Sequence, residues 1–234
     1  MQKEIIGNCT LYLGDSLDIA SELGEFADLI CTDPPYKLTS GGNNANWKLS
    51  NGTEYANDGK IVPCDITWQQ IHQICFNSLK EGNHAYVMSN NRNLEEALRT
   101  AREVGFKLHN IIIWDKGTVT PNRFYMNKVE FAPMYYKKST KFINNMSLPN
   151  IFNIPNIKGN GHPTEKPVEL MRLFVEQSSN ENDIVFDPFM GIGTTGFACQ
   201  KSNRKFIGIE IEQKYFDIAC KRIEEASRQK DLFI

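Results

Sequence analysis

The chain has 234 residues, 41% of them hydrophobic and 23% charged, with a formal net charge of −2. That length suits one large domain with a buried core, and the near-neutral charge excludes a uniformly basic nucleic-acid binder. No apolar run approaches the ~20 residues of a membrane helix, and the N-terminus has no apolar signal-peptide core, so a cytoplasmic protein is expected.

Six cysteines, at 9, 31, 64, 75, 199 and 220, are scattered without a C-x-x-C pair and read as buried, reduced thiols. His72 and Cys75 have i, i+3 spacing, but nothing near them completes a zinc site, so no metal is expected.

In chain order, strand-like runs occupy 9–14, 27–32, 84–89, 107–114, 129–136, 183–186 and 205–211. Helical periodicity covers 68–80, 94–104, 168–177 and 213–226, where apolar residues such as Ile71, Ile74, Cys75 and Leu79 fall on one stripe. Such alternation predicts an α/β fold, doubly wound, whose mostly parallel sheet is covered on both faces. The runs 107–114 and 129–136 have no helix between them and are expected to pair antiparallel. No repeat or linker divides the chain, so residues 1–234 read as one domain.

Two polar stretches interrupt the alternation. Residues 37–63 are crowded with Gly, Asn and Ser, and 137–165 carry Pro149, Pro155 and Pro163. Long loops in a compact domain are usually functional, and both are expected on one rim of the sheet. Charge is also uneven. Residues 1–36 hold one lysine against seven acids, whereas 116–166 hold eight Lys/Arg against two acids. That dipolar layout can turn one positive face toward phosphates.

The most informative residues are Asp33-Pro34-Pro35-Tyr36, directly after the apolar run ADLICT. A carboxylate at a strand's carboxyl end sits where open α/β sheets bind ligands. Two prolines fix φ and remove two donors, leaving carbonyls free to accept. A rigid acid, a bare carbonyl and an aromatic ring together suit a planar amino group. Asp33 and the Pro34 carbonyl would accept its hydrogens while Tyr36 stacks on the ring. Far downstream, FDPFMGIGTTG at 186–196 carries the G-x-G-x-x-G pattern that turns a backbone around a nucleotide. Glu210 ends the following run, where an acid suits a vicinal diol.

D-P-P-Y, the Phe189-Met190-Gly191-Ile192-Gly193 loop about 150 residues later, and His162-Pro163-Thr164-Glu165-Lys166-Pro167 between them occur in one order. That combination resembles the β class of S-adenosylmethionine-dependent DNA amino-methyltransferases, over essentially the whole chain. The resemblance implies a Rossmann-like methyltransferase sheet of seven mostly parallel strands, one of them antiparallel, with circularly permuted motifs. It also implies S-adenosylmethionine as cofactor, DNA as partner, and a bacterial restriction-modification setting at the nucleoid or on a phage or mobile element.

Carried over, Asp33, Pro34, Pro35 and Tyr36 would be catalytic. Asp187, Phe189, Gly191, Gly193, Thr194 and Thr195 would surround the cofactor's methionine end, with Asp33 adjoining it. His162, Thr164, Lys166 and Pro167 would close over that end, Glu210 would take the ribose hydroxyls, and Asp15 would meet the adenine amino group. For Asp15 alone, a helix N-cap reading is equally good.

A nicotinamide dehydrogenase would leave D-P-P-Y unexplained. An RNA or protein-glutamine methyltransferase usually shows an unpermuted order and Asn in place of Asp33. Adenine N6 is the expected target, with cytosine N4 and an inactive DNA-binding subunit as alternatives. The interval 137–161 is short for a target-recognition region, which implies a short site with help from 37–63 or a second copy in a homodimer. Lys37, Arg123, Lys137, Lys138 and Lys141 are candidate DNA contacts, and Trp47 either stacks beside a displaced base or anchors its loop.

Overall fold

The computed structural model describes residues 2–35, 66–120, 125–157 and 165–231, and their side chains except those of 120 and 229–231. The strands are β1 (Gln2–Ile6), β2 (Cys9–Leu13), β3 (Ala27–Thr32), β4 (Leu79–Val87), β5 (Lys107–Thr120), β6 (Asn127–Tyr136), β7 (Ile151–Asn153), β8 (Ile184–Asp187) and β9 (Lys205–Glu210). The helices are α1 (Ser16–Leu23), α2 (Trp68–Ser78), α3 (Leu94–Val104), α4 (Val168–Ser178), α5 (Thr194–Lys201) and α6 (Gln213–Asp231). Among the described residues the strands form one sheet in the order β1-β2-β9-β8-β3-β4-β6-β5-β7.

Alternation along the strands divides the core into two layers. Leu29, Cys31, Met88 and Val185 pack against Leu170 and Phe174 of α4, Ala198 of α5 and Phe216 and Ile223 of α6. On the other face, Ile30, Ala85, Val87 and Phe186 meet Ile19 of α1, Ile71 and Ile74 of α2, and Ala97 and Ala101 of α3. Helices on both faces let the central strands be apolar throughout, as their sequences are.

The late glycine loop is explained by this order. β8 pairs parallel with β3 through Leu29↔Val185 and Ile30↔Phe186, and with β9 on its other side. The final strands therefore fill the middle of the sheet, beside the strand that leads into Asp33.

Nine strands are present where seven were expected, because two short edge strands escape the periodicity. β1 pairs antiparallel with β2 and has a largely exposed sequence, and β7 is only three residues long. The reversed strands are thus β1 and β6, the latter antiparallel to both β4 and β5. α5 was also missed: it buries Thr194, Thr195, Gly196, Ala198, Cys199 and Gln200, so no polar face marks it as amphipathic. α1 spans only eight residues, too few for a clear period.

The direction of β6 corrects one expectation. Because it runs backwards, residues 137 onward leave from the sheet edge opposite the one where β3 ends. Gly82 N donates to Lys137 O at 3.0 Å and Lys141 N to Gly82 O at 3.3 Å, which places 137–141 beside the start of β4. The chain regains the first edge only through β7, parallel to β5. The five cysteines within the described residues form no disulfide with one another, and four of them are buried.

Candidate active site

The carboxyl ends of β2, β9, β8, β3 and β4 share one edge, and the chemistry-bearing residues gather there. β3 delivers Asp33. Lys166 Nζ, from the segment before α4, pairs with Asp33 Oδ2. The other oxygen, Oδ1, is sealed from solvent and has no hydrogen-bond partner. Burial raises the Asp33 pKa above the usual carboxylate value, the Lys166 ammonium opposes that rise, and Glu130 adds to it. For Lys166, burial disfavours the ammonium, but Asp33 and Glu130 outweigh it and hold the pKa above the ordinary lysine value. Pro34 is buried and Pro35 exposed.

Asp187, at the end of β8, is the opposite case. Its Oδ1 accepts from Thr32 Oγ1 at 2.6 Å and from Phe189 N at 3.1 Å, and its Oδ2 accepts from Thr195 Oγ1 at 2.8 Å. Burial still pushes its pKa up to about 6 against those hydrogen bonds. With both oxygens engaged inside the protein, Asp187 builds the glycine turn. It joins β3, β8 and α5 at the foot of the glycine loop. Thr195 serves the same joint, and Thr194 is buried at the first position of α5.

The glycines act differently from one another. Gly191 has φ +53° and a Cβ there would meet nothing within 4 Å, so the backbone is open toward the site edge. Gly193 has φ +76° and a Cβ would lie 2.9 Å from Ala219 Cβ, so this residue lets α6 close on the turn. Phe189 beside them is half-buried.

Glu210 ends β9 nearly buried, and Oε1 accepts from Glu212 N at 2.8 Å. Burial raises its pKa, while the backbone N–H groups of Glu212, Gly191 and Ile211 draw it down. Asp15 caps α1 by accepting from Leu17 N at 2.8 Å, and Gly14 N bonds Glu210 O at 2.9 Å. Asp15 thus follows the residue bonded to Glu210, and its exposed carboxylate serves as the N-cap. Pro167 is buried at the start of α4.

Several residues of this edge were not legible beforehand. Ser16 Oγ donates to Pro188 O, tying α1 to the glycine loop. Arg222 of α6 bonds Ile192 O at 3.1 Å and pairs with Glu165 at 2.7 Å, pinning the 165–167 segment to that loop. Glu130, at the start of β6, lies 3.6 Å from Lys166 Nζ through Oε2, and Lys116 Nζ lies 3.2 Å from its Oε1.

The lysines after β6 do not join this site. Lys137 is buried: its Nζ bonds Glu25 Oε2 at 2.5 Å, Phe76 O at 2.9 Å and Leu79 O at 2.8 Å. An ammonium so engaged offers nothing to a phosphate. Lys138 pairs with Glu81 on the same far edge, where Lys141 also lies. All three placements have one cause, the reversed direction of β6. Tyr36, Lys37, Trp47, Arg123, His162 and Thr164 lie outside the described residues.

Asp33, with one unpartnered buried oxygen, shares an edge with an open glycine turn and the strand-end acid Glu210 beyond it, an arrangement that suits an amino group and a nucleotide-like ligand. Comparison with known proteins agrees. Residues 27–221 match the family described as DNA methylase. The chain belongs to that family. It is 29% identical over 255 residues to the type II methyltransferase M2.LlaDCHI of Lactococcus lactis subsp. cremoris, covering 94% of this chain and 91% of that one. It is 27% identical to the DNA adenine methyltransferase YhdJ of Escherichia coli K12, covering 93% of this chain and 83% of that protein. Among solved structures, M1.HpyAVI in complex with SAM superposes with a TM-score of 0.71 at 28% identity, over 92% of this chain and 99% of that one. As a DNA methylase, this chain carries its D-P-P-Y acid and its glycine loop on adjacent strands.

Proposed function

We propose that the chain transfers a methyl group from S-adenosylmethionine to N6 of an adenine displaced from DNA. The observation that carries this reading is Asp33: Oδ2 is held by Lys166 and Oδ1 is buried without a partner. An unsatisfied buried acceptor costs stability, on the order of 1–3 kcal/mol, unless a ligand donor supplies the missing bond. The exocyclic amino group of adenine is such a donor. The adenine methyltransferase named among the relatives supports the choice of base.

The residues present also fit the cofactor. Glu210 stands ready for a diol, Gly191 leaves backbone space, and Asp15 lies at the same edge. S-adenosylmethionine, when bound, supplies an electrophilic methyl group on a sulfonium. Asp33 and the Pro34 carbonyl accept the two amino hydrogens, which localises a nitrogen lone pair otherwise delocalised into the ring. Their contribution is aim and electrostatic complementarity to the positive charge developing on nitrogen. Tyr36 stacks on the base, which must leave the duplex to be reached. His162 and Thr164 adjoin Lys166 and Pro167 in closing the cofactor side.

DNA lies across the edge that bears Asp33. The exposed Asn91 and Arg92 after β4, and Lys128 at the start of β6, are on that edge and join Lys37, Trp47 and Arg123 as contacts. The chain reads as a single domain, and among the described residues no helix is long and apolar enough to cross a membrane. It acts on DNA in the cytoplasm, and a second copy would extend its footprint. Incubation with labelled S-adenosylmethionine and unmethylated DNA, followed by nucleoside analysis, tests the reading. N6-methyladenine is expected; N4-methylcytosine, or no methylated base, would overturn it.

A further inference from the structure

Asp33 is one end of a chain of four charges that alternate in sign. Lys116 of β5 meets Glu130 Oε1 at 3.2 Å, Glu130 Oε2 stands 3.6 Å from Lys166 Nζ, and Lys166 reaches Asp33 Oδ2. The side chains of Lys116, Glu130, Lys166 and Asp33 are only 11%, 19%, 8% and 22% exposed, so solvent screens them little. Three separate elements converge on the one carboxylate whose orientation the chemistry needs.

We infer that Glu130 is a positioning residue for methyl transfer: it holds Lys166 against Asp33 Oδ2, so that Oδ1 alone is offered to the incoming amino group. This rests on the reading of Asp33 proposed above. The geometry explains why a catalytic carboxylate keeps a full ion pair without losing its function. A lysine pulled from one side only could swing across both oxygens. A lysine drawn by both Asp33 and Glu130 is biased toward the Oδ2 side, and Lys116 fixes Glu130 in turn. The unpartnered Oδ1 accords with the clamp, in which Lys166 engages Oδ2 and Glu130 Oε2.

The clamp also sets the charge of Asp33. The groups that act on it are Lys166 before α4, Glu130 on β6, and Asp187 on the neighbouring β8. Lys166 favours the ionised acid, while the two carboxylates disfavour it. Removing Lys166 therefore moves the acidic limb of activity to higher pH. Removing the Glu130 charge moves it to lower pH, although the plateau rate falls because Lys166 is no longer gripped.

The test measures kcat against pH for Glu130→Gln, Lys166→Met and the double variant. The expected plateau kcat of Glu130→Gln is roughly tenfold down, with KM for cofactor and DNA within about threefold. The two single variants should shift the acidic limb in opposite directions, and the double variant should be no slower than Lys166→Met. An unchanged rate and limb in Glu130→Gln, or additive losses in the double variant, would overturn the clamp. Asp187→Asn serves as the control for a limb that belongs to Asp187.

Should the variants fail to fold, the wild-type Lys166 ¹⁵Nζ resonance answers instead. A charged ammonium with slowly exchanging protons is expected, and a rapidly exchanging one contradicts the inference. That signal also tests the clamp if the wild-type protein methylates no adenine, which would sink the functional reading alone.

Discussion

Asp33 and Asp187 stand at the ends of neighbouring strands, the first partly buried and the second buried, both with pKa raised by burial, yet their surroundings differ. Asp187 spends both oxygens on Thr32, Thr195 and the Phe189 amide, whereas Asp33 spends one on Lys166 and keeps the other. The comparison separates scaffold from site. A buried acid that is fully satisfied holds the protein's own turn, and one left half-satisfied awaits a donor from outside.

Glu210 tests how far that division reaches, because backbone N–H groups already engage its carboxylate and the proposed cofactor diol must share it. Glu210→Ala is expected to weaken cofactor binding by roughly 10–100-fold, the loss of one or two hydrogen bonds to a charged acceptor, while kcat at saturating cofactor changes little. Calorimetry checks the affinity, and an unchanged Kd would move Glu210 to the scaffold.

Lys137 should fall on the scaffold side. Lys137→Met leaves the Phe76 and Leu79 carbonyls short of a donor, and a loss of about 1–3 kcal/mol in unfolding free energy is expected. DNA affinity should stay within about twofold. A large loss of DNA binding with unchanged stability would return Lys137 to the interface.

Asp187 offers a pH test of the same idea. Its folded pKa, about 6, lies above its unfolded value, so its share of stability is full in acid and is lost as pH rises through about 6. Asp187→Asn should keep the fold and flatten that part of the pH dependence of Tm between about pH 4 and 7. An identical slope in the variant would show that the carboxyl does not titrate there.

The smallest effect belongs to the rim. Lys128 is 45% exposed and pairs with Asp115, so Lys128→Ala should weaken DNA binding by only a few-fold and reduce the salt slope by about one. A salt slope unchanged in the variant would remove Lys128 from the interface.

The fold was legible where strands are buried, because runs such as ADLICT announce themselves by composition. It was not legible at β1 and β7, which are edge strands, or at α5, whose all-round burial erases the amphipathic pattern. The site was legible where several residue types share one short stretch, as at Asp33-Pro34-Pro35. Glu130 gave no signal, being a lone acid in a strand, and its meaning comes only from the lysines brought to it across the sheet. Lys137 misled because charge counted along a sequence does not say which way a side chain points. One reversed strand places three basic residues at the edge opposite Asp33.

The central claim is that Asp33 is the acceptor that aims the amino group. Single-turnover methyl transfer by Asp33→Ala, with cofactor binding and folding verified on the same preparation, tests it most directly. A rate loss of about 10³-fold or more, with the cofactor still bound, is expected. Transfer at a near-normal rate would contradict the account.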